Sequence, residues 1–341
     1  MGRAKRSWVS QNSGSYHIIS RIAGGEILLH DKEKEYFLKL LERLASGFFV
    51  QVHSFCVLGS HFHILATNVE KEAKLATREE LIRRYRLIYG KDAEPPAGAY
   101  DCSGNLLPDE DGGTQRLRER LSSISRFVQE LKQSFSRYYN KIHTRKGYLW
   151  SDRFKSVIAG IGDAQLLCSA YIDLNPIRAN IVARPENYRW CSMGLQVRNP
   201  KRWKKLITPL SLSMILKPGP GPANANGKER NLSFSLIFPG QKEKLQAEWY
   251  REFVYIAGGI PRSDKACLSP GLVESVTRYH GQLGIGDFFR YRVKNISEGI
   301  AIGSREIIAD IQVRYKRKFI RPRLLPVGGG GQLFVTRVLR G

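Results

Sequence analysis

The sequence lacks several features that identify other classes of protein. No apolar run approaches the roughly 20 residues that a membrane-spanning helix requires. The five cysteines are odd in number, widely scattered and never arranged as CxxC, which argues against a zinc site or a disulfide framework. The basic N-terminal stretch has no apolar h-region and no small-residue cleavage site, so we expect no secretory signal. These absences together predict a soluble protein of the reducing cytoplasm.

Acidic residues are also scarce relative to basic ones. The chain has 31 Asp and Glu against 55 Lys and Arg, which gives a net charge of +24 and a pI near 10.0. Such an excess favours a polyanionic partner, because each phosphate contact releases condensed counterions. A membrane surface would call for a basic amphipathic helix or a lipidation signal, and neither is evident. Charge alone therefore indicates a nucleic acid and does not separate DNA from RNA.

Hydrophobic periodicity predicts a mixed α+β fold. Alternating or β-branched segments predict strands, and apolar residues at helical spacing predict helices between them. The strands are expected at 15–23, 48–58, 61–68 and 147–160, and the helices at 31–45, at 118–143 and from about Asp163 onward. This order is the ferredoxin-like split βαβ arrangement with one additional helix. We expect an antiparallel sheet with helices on one face.

Composition shifts divide the chain into regions. The first domain is expected over 1–200, with an insertion at about 70–118 that holds a short basic helix and a loop rich in Pro and Gly. A linker is expected at 201–240 because this stretch contains the Pro- and Gly-rich run KPGPGPANANGKER. A small basic C-terminal domain at 241–341 is expected to assist in DNA binding.

Two histidines on one predicted strand are the first candidate for chemistry. In the triplet His61-Phe62-His63, residues i and i+2 of a strand point to the same face, so the two imidazoles project together. Two neighbouring neutral imidazoles form half of a site for a divalent metal. So short a motif also occurs by chance on half-solvated strands. His17 and His53, on neighbouring strands, are interpreted as structural.

Tyr171 and Asn175 are the second candidate. They lie one helical turn apart, so a phenolic oxygen and an amide oxygen can approach one point. Asn-Pro is also a typical helix start, with Asn as the cap and Pro in the first turn. A residue before Pro is moreover biased away from helical geometry. Spacing alone therefore indicates that Asn175 is a cap.

Several strings in the sequence resemble one family. The His61-Phe62-His63 triplet resembles the signature of the HUH single-strand nucleases. The block YIDLNPIRANIVARPENYRW (171–190) resembles that of the REP-associated tyrosine transposases. Residues 125–157 and, near the C-terminus, 298–308 resemble further segments of the same family. The resemblance covers most of residues 15–192 and, less specifically, about 270–341.

The resemblance implies an activity and a set of site residues. It implies an HUH nuclease core in which His61, His63 and Asn175 bind Mg²⁺ or Mn²⁺ and Tyr171 is the nucleophile. The implied function is that of a single-strand DNA endonuclease and strand-transferase, a transposase acting on hairpin-forming repeat DNA through a 5′-phosphotyrosine intermediate. This chain departs from the family pattern at Asp173, where relatives often have a neutral residue or His, and at Asn180, where Gly is usual.

Basic residues mixed with aromatic ones are the candidate DNA contacts. Lys and Arg track a phosphate backbone, and an exposed aromatic ring stacks on an unpaired base. Trp150 is either such a ring or a buried core residue. The basic segment 314–323 is a candidate phosphate-binding arm. The predicted DNA contacts are Arg137, Lys141, Arg145, Lys146, Arg153, Lys155, Arg178, Arg314, Lys316 and Arg317.

Three alternatives remain open at this point. A replication initiator or relaxase of the same superfamily is one, although relaxases tend to have the tyrosine before the histidine motif, and here Tyr171 follows it by about a hundred residues. The others are a hairpin-binding protein that does not cut DNA and an RNA-binding protein. The intact set of His61, His63 and Tyr171 favours an enzyme. We expect it to be cytoplasmic and nucleoid-associated, without membrane partners, and to be a monomer rather than a dimer.

Overall fold

The structure of the chain is a computed structural model. It describes residues 14–95, 112–210, 242–262, 265–277, 294–315, 323–327 and 331–336. The Pro- and Gly-rich part of the predicted insertion, residues 96–111, lies outside the described residues. So does most of the predicted linker, residues 211–240.

The described strands form one seven-stranded sheet. Its order is β2-β3-β1-β4-β5-β7-β6. Neighbouring strands are antiparallel except for β4 and β5, which are parallel. The strands are β1 (Gly14–Arg21), β2 (Val50–Val57), β3 (His61–Asn68), β4 (Lys155–Gly160), β5 (Ala301–Gly303), β6 (Arg323–Val327) and β7 (Gly331–Thr336).

Helices connect and cover these strands. No helix in the described part of the chain is long and apolar enough to cross a membrane. The helices are α1 (Asp31–Gly47), α2 (Glu70–Leu75), α3 (Arg78–Tyr89), α4 (Gly113–Leu121), α5 (Ile124–Ile142), α6 (Asp163–Asp173), α7 (Asn175–Arg178), α8 (Ser192–Arg198), α9 (Pro200–Leu206), α10 (Lys242–Gly259), α11 (Pro270–Glu274), α12 (Lys294–Glu298) and α13 (Arg305–Tyr315).

The first four strands, with α1 and α5, form the predicted split βαβ unit. Their spatial order β2-β3-β1-β4 is that of a ferredoxin-like sheet. Helices α1 and α5 pack on one face, where Phe62 of β3 lies 4.9 Å from Phe37 of α1 between ring centroids. Helix α6, the additional helix, contacts β2, β3 and β4 on the other face. The prediction of an α+β fold with an antiparallel sheet is confirmed.

The described part of the C-terminal region extends the same sheet. Strand β5 pairs with β4 through Ile158–Ala301 and Ala159–Ile302, and β7 and β6 follow. Ile296 of α12 and Val335 of β7 belong to one hydrophobic core with the residues of the first four strands. Residues from after position 241 therefore lie against the elements that carry the predicted site.

Two segments differ from their predicted structure. The strand expected at 147–160 begins only at Lys155, because Trp150 turns inward and donates from Nε1 to the carbonyl of Lys132 at 3.1 Å. The stretch after Trp190, for which no separate helix is predicted, forms α8 and α9, and α9 extends into the predicted linker. Cys191 and Asn199 occupy their N-cap positions with side-chain cap hydrogen bonds, and a proline follows Asn199 at the first position of α9.

Candidate active site

The two histidines of β3 project from the same face of the sheet. The ring centroids of His61 and His63 are 5.1 Å apart, with the ring planes at 77°. Phe62, between them, is fully buried on the opposite face against Phe37 and Trp150. The alternation of the strand therefore brings the two imidazoles together, as their spacing predicts.

Helix α6 brings Tyr171 to these histidines. Its ring centroid lies 5.8 Å from that of His63 and 5.7 Å from that of His17, edge-on to both rings. Tyr171 is partly buried. The helix and the strand thus place a phenol beside the pair of imidazoles, although 108 residues separate Tyr171 from His63 in the sequence.

His17 and His53 have different surroundings. His53 bonds through Nδ1 to the carbonyl of Thr208 at 2.8 Å and through Nε2 to the hydroxyl of Thr67 at 2.8 Å. His17, on β1, bonds through Nδ1 to the carbonyl of Ile296 at 2.7 Å and through Nε2 to Nδ1 of His63 at 2.9 Å. In both residues each ring nitrogen is hydrogen-bonded within the fold, as is typical of structural histidines. His17 also contacts His63 of the candidate site.

Burial keeps the site imidazoles neutral. It lowers the pKa of His61 to about 4, with a smaller contribution from the charges of Arg21 and Lys265. Burial also lowers the pKa of His63 well below its usual value, assisted by His17 and His61. Neutral imidazoles have a nitrogen lone pair for a divalent ion. The donor set therefore fits the metal that the sequence resemblance implies.

Asn175 is not the N-cap of α7. Helix α6 ends at Asp173, and α7 begins at Asn175 with Leu174 in the N-cap position and no side-chain cap hydrogen bond. The amide nitrogen of Asn175 donates to the carbonyls of Tyr171 at 3.0 Å and Ile172 at 3.2 Å. Because the nitrogen is turned to the helix, Oδ1 is the side-chain atom left for another partner.

Among the residues that the structure describes, no group of three or more His, Cys, Asp or Glu side chains is arranged to hold a metal ion. The predicted ligand set contains two histidines and an amide, so its third member belongs to a different class of side chain.

Opposing effects act on the pKa of the Tyr171 phenol, and burial is the largest of them. Burial raises its pKa, while a hydrogen bond from Ser297 and the positive charges of Arg262 and Arg178 lower it. Asp173, one of the two departures from the family pattern in the sequence, has other partners. Its carboxylate accepts from the Tyr250 hydroxyl at 2.7 Å and from a backbone N–H of α8 at 3.3 Å, and burial raises its pKa to about 7.

Four residues around the site were not found from the sequence. They are Arg262, Lys265, Ile296 and Ser297, and all come from the C-terminal region. No local pattern marks them, because Ile296 and Ser297 reach the site through the packing of α12 on β1 and β4, and Arg262 and Lys265 come from the segment that follows α10. One signal was available, since the resemblance at 298–308 begins directly after Ser297.

Most of the predicted DNA contacts near α5 and β4 are exposed. Arg137, also exposed, lies 3.7 Å from Glu130 as an ion pair, and Arg145 is partly buried. Arg178 is only 8% exposed, and its charge acts on Tyr171. The side chain of Arg314 lies outside the described residues, as do Lys316 and Arg317. The exposed basic set, here called the basic edge, is Lys141, Lys146, Arg153 and Lys155.

The exposed aromatic residue in this area is not the one that the sequence indicated. Trp150 is buried in the core, 9% exposed, and packs on Phe62. Tyr148, two residues earlier, is 92% exposed. Its loop joins α5 to the strand that carries Lys155, so Tyr148 lies between the residues of the basic edge in the sequence.

Comparisons with known proteins find a likeness among solved structures. No family model matches the chain, and no curated protein matches it. A solved structure of a REP-associated tyrosine transposase bound to a REP hairpin is similar at 12% sequence identity and a TM-score of 0.37. The alignment covers 59% of this chain and 87% of that one.

Proposed function

We propose that this chain is a metal-dependent single-strand DNA endonuclease and strand-transferase with Tyr171 as its nucleophile. One observation carries the proposal: the imidazoles of His61 and His63 project side by side, and the Tyr171 ring lies 5.8 Å from the nearer one. A protein that only binds nucleic acid has no need of a buried phenol beside two neutral imidazoles. This combination fits phosphodiester chemistry.

In this proposal His61, His63 and Asn175 would hold Mg²⁺ or Mn²⁺. Imidazole nitrogens shift the preference toward Mn²⁺, while an amide oxygen suits either ion. The bound ion would neutralise charge on a non-bridging oxygen of the scissile phosphate. The three side chains would thus hold the positive charge of the ion beside the phenol of Tyr171.

Tyr171 carries the covalent step. Its phenol loses a proton, the phenolic oxygen bonds to phosphorus, and the bond from phosphorus to the 3′-oxygen breaks as that oxygen takes up a proton. The 5′-phosphate remains on Tyr171, and attack by a second 3′-hydroxyl reverses the step without ATP. Burial raises the pKa of the phenol overall, and the charges of Arg262 and Arg178, which offset part of that rise, would assist its deprotonation.

The basic edge and Tyr148 would bind the strand. The backbone N–H of Ser151 donates to the carbonyl of Arg21 at 3.0 Å, and Arg21 pairs with His61 across the sheet. The loop that carries Tyr148 is therefore tied to the same end of the sheet as His61. Lysines and arginines contact phosphates while an exposed ring stacks on an unpaired base. The resemblance of residues 125–190 to the REP-associated transposases makes a hairpin-forming repeat the proposed substrate.

The test is the formation of a covalent adduct. The protein is incubated with a labelled single-stranded hairpin oligonucleotide and Mn²⁺ or Mg²⁺, and the products are separated on a denaturing gel. We expect a metal-dependent adduct with the wild type and none with Tyr171→Phe. Tyr85→Phe is the matched control, because Tyr85 lies on α3, which packs against α1 on the opposite face. Hairpin binding without an adduct would instead favour a protein that binds and does not cut.

A further inference from the structure

A chain of hydrogen bonds runs from the C-terminal region to the candidate metal ligand His63. The carbonyl of Ile296 bonds to Nδ1 of His17 at 2.7 Å, and Nε2 of His17 bonds to Nδ1 of His63 at 2.9 Å. His17 is completely buried, His63 is 3% exposed and Ile296 is 1% exposed. Three elements, α12, β1 and β3, therefore meet through one histidine that the proposed chemistry does not use.

The carbonyl oxygen at the end of this chain of hydrogen bonds determines which ring nitrogens of His17 and His63 carry a hydrogen. A carbonyl oxygen only accepts hydrogen bonds, so Nδ1 of His17 must carry a hydrogen. In neutral His17 the other nitrogen, Nε2, then has a lone pair and accepts. The donor to it can only be Nδ1–H of His63, which leaves the lone pair of neutral His63 on Nε2. The burial of both rings favours their neutral forms.

We propose that His17 is a positioning residue that, anchored by the carbonyl of Ile296, holds His63 in the tautomer whose Nε2 lone pair faces a metal. The inference rests on the proposed function for the identity of His63 as a ligand. Metal-binding histidines usually donate their second ring N–H to a carboxylate, carbonyl or water, which fixes the ring and its tautomer. Here His17 accepts that hydrogen bond from His63, and the orientation of the His17 ring is fixed in turn by the carbonyl of Ile296 on α12.

The same segment touches the nucleophile. Ser297, directly after Ile296, hydrogen-bonds the phenol of Tyr171. The pair Ile296 and Ser297 thus contacts both halves of the site, one through the His17 imidazole and one directly. The C-terminal region is in this account a part of the active site itself rather than an accessory to DNA binding.

The first experiment reads the tautomer in full-length protein without metal or DNA. Nitrogen-15 NMR of the imidazoles distinguishes a ring nitrogen that carries a hydrogen from one with a lone pair, and the His63 signals are assigned by their loss in His63→Asn. We expect hydrogen on Nδ1 and a lone pair on Nε2 in the wild type and in His17→Gln, whose side chain keeps an acceptor near His63. In His17→Phe we expect a mixture of tautomers. Hydrogen on Nε2 of His63 in the wild type would overturn the proposal.

The second experiment measures Mn²⁺ affinity of the same variants in the absence of DNA. We expect His17→Phe to lose affinity on the order of 10- to 100-fold and His17→Gln to stay within a few-fold of the wild type. His53→Phe is the matched control, since His53 is equally held between a carbonyl and a second partner but does not touch His63. Unchanged affinity and unchanged tautomer in His17→Phe would contradict the role of His17; if that variant does not fold, the wild-type tautomer and His17→Gln decide.

The two experiments separate this inference from the proposed function. If the wild type binds no Mn²⁺, the metal-dependent nuclease is contradicted, while the tautomer measurement, which needs no metal, still decides what His17 does. If Mn²⁺ binds and the DNA adduct forms but His17→Phe matches the wild type in both tautomer and Mn²⁺ affinity, the inference fails and the proposed function stands.

Discussion

His63 and Tyr171 lie edge to face, with ring centroids 5.8 Å apart and ring planes at 81°. His63 comes from β3, the second strand of the β2–β3 hairpin, and Tyr171 comes from α6, which packs on the face opposite α1 and α5. The contact between these two distant residues depends on the tertiary fold and not on a local sequence motif.

Removal of the Asn175 side chain is predicted to weaken metal binding. Its amide nitrogen is engaged by the carbonyls of Tyr171 and Ile172, which leaves Oδ1 to act as the third ligand. We expect Asn175→Ala to lower Mn²⁺ affinity by at least about tenfold, as the loss of groups in a metal site commonly does. Isothermal titration without DNA measures this change.

The matched control for that measurement is Asn140→Ala. Asn140 likewise donates from its amide nitrogen to a backbone carbonyl, that of Gly147 at 3.0 Å, but lies on α5. Equal Mn²⁺ affinity in Asn175→Ala and the wild type, with affinity lost in His61→Ala, would show that Asn175 is not a ligand.

Tyr148 is predicted to contribute to single-strand binding by stacking. A base stacked on an aromatic ring is worth about 1–3 kcal/mol, which corresponds to roughly 5- to 150-fold in affinity. We expect a loss in this range for Tyr148→Ala and little change for Tyr148→Phe, measured by fluorescence anisotropy with a hairpin that has a single-stranded arm. Because the side chain is 92% exposed, neither change disturbs the core. Wild-type affinity in Tyr148→Ala would refute the stacking role.

Acid is predicted to destabilise the fold through its buried histidines. Burial lowers the pKa of His53 from its usual 6.5, so below pH 6.5 the unfolded chain binds a proton that the folded chain does not. Stability then falls as pH drops from 6.5, by up to about 1.4 kcal/mol per pH unit for one such group. We expect urea unfolding between pH 7 and 5 to show a smaller pH dependence in His53→Gln than in the wild type. An unchanged slope would contradict a neutral, buried His53.

Gly194 is predicted to be intolerant of any side chain. A Cβ atom there would lie 1.8 Å from the carbonyl oxygen of Tyr188, which is backbone and cannot move aside without distorting the chain that leads into α8. We expect Gly194→Ala to lower the free energy of unfolding by roughly 3 kcal/mol or more. Gly271→Ala, with no atom within 4 Å of the new Cβ, is the control and should be close to neutral in thermal unfolding. Similar stability of the two variants would contradict the described packing.

Local pattern was sufficient to predict the core of the fold. Strands β1 to β3 and helices α1 and α5 alternate or repeat with clear periodicity, and the spacing of His61 and His63 alone puts both rings on one face. The family resemblance added what spacing did not contain, the pairing of Tyr171 with those histidines. The departure at Asn180 also has a local reason, because its φ of 54° is a left-handed conformation that Gly and Asn both adopt readily.

What was missed depends on distant parts of the chain. Ser297 reaches Tyr171 and Ile296 reaches His17 through the packing of α12 on the sheet. Arg262 comes from the segment after α10. Trp150 and Tyr148 are separated by one residue, and the sequence does not tell which of the two faces the core. Burial of Trp150 follows from its contact with Phe62 and its hydrogen bond to Lys132, neither of which leaves a periodic signal.

The most direct test of the central claim is to locate the covalent bond. The adduct formed with a hairpin oligonucleotide is digested with protease and nuclease, and the peptide that carries the residual nucleotide is identified by mass spectrometry. The account predicts a 5′-phosphate ester on Tyr171 in the wild type and no modified peptide in His63→Ala. A nucleotide found on another residue, such as the exposed Tyr148, with none on Tyr171, would contradict it.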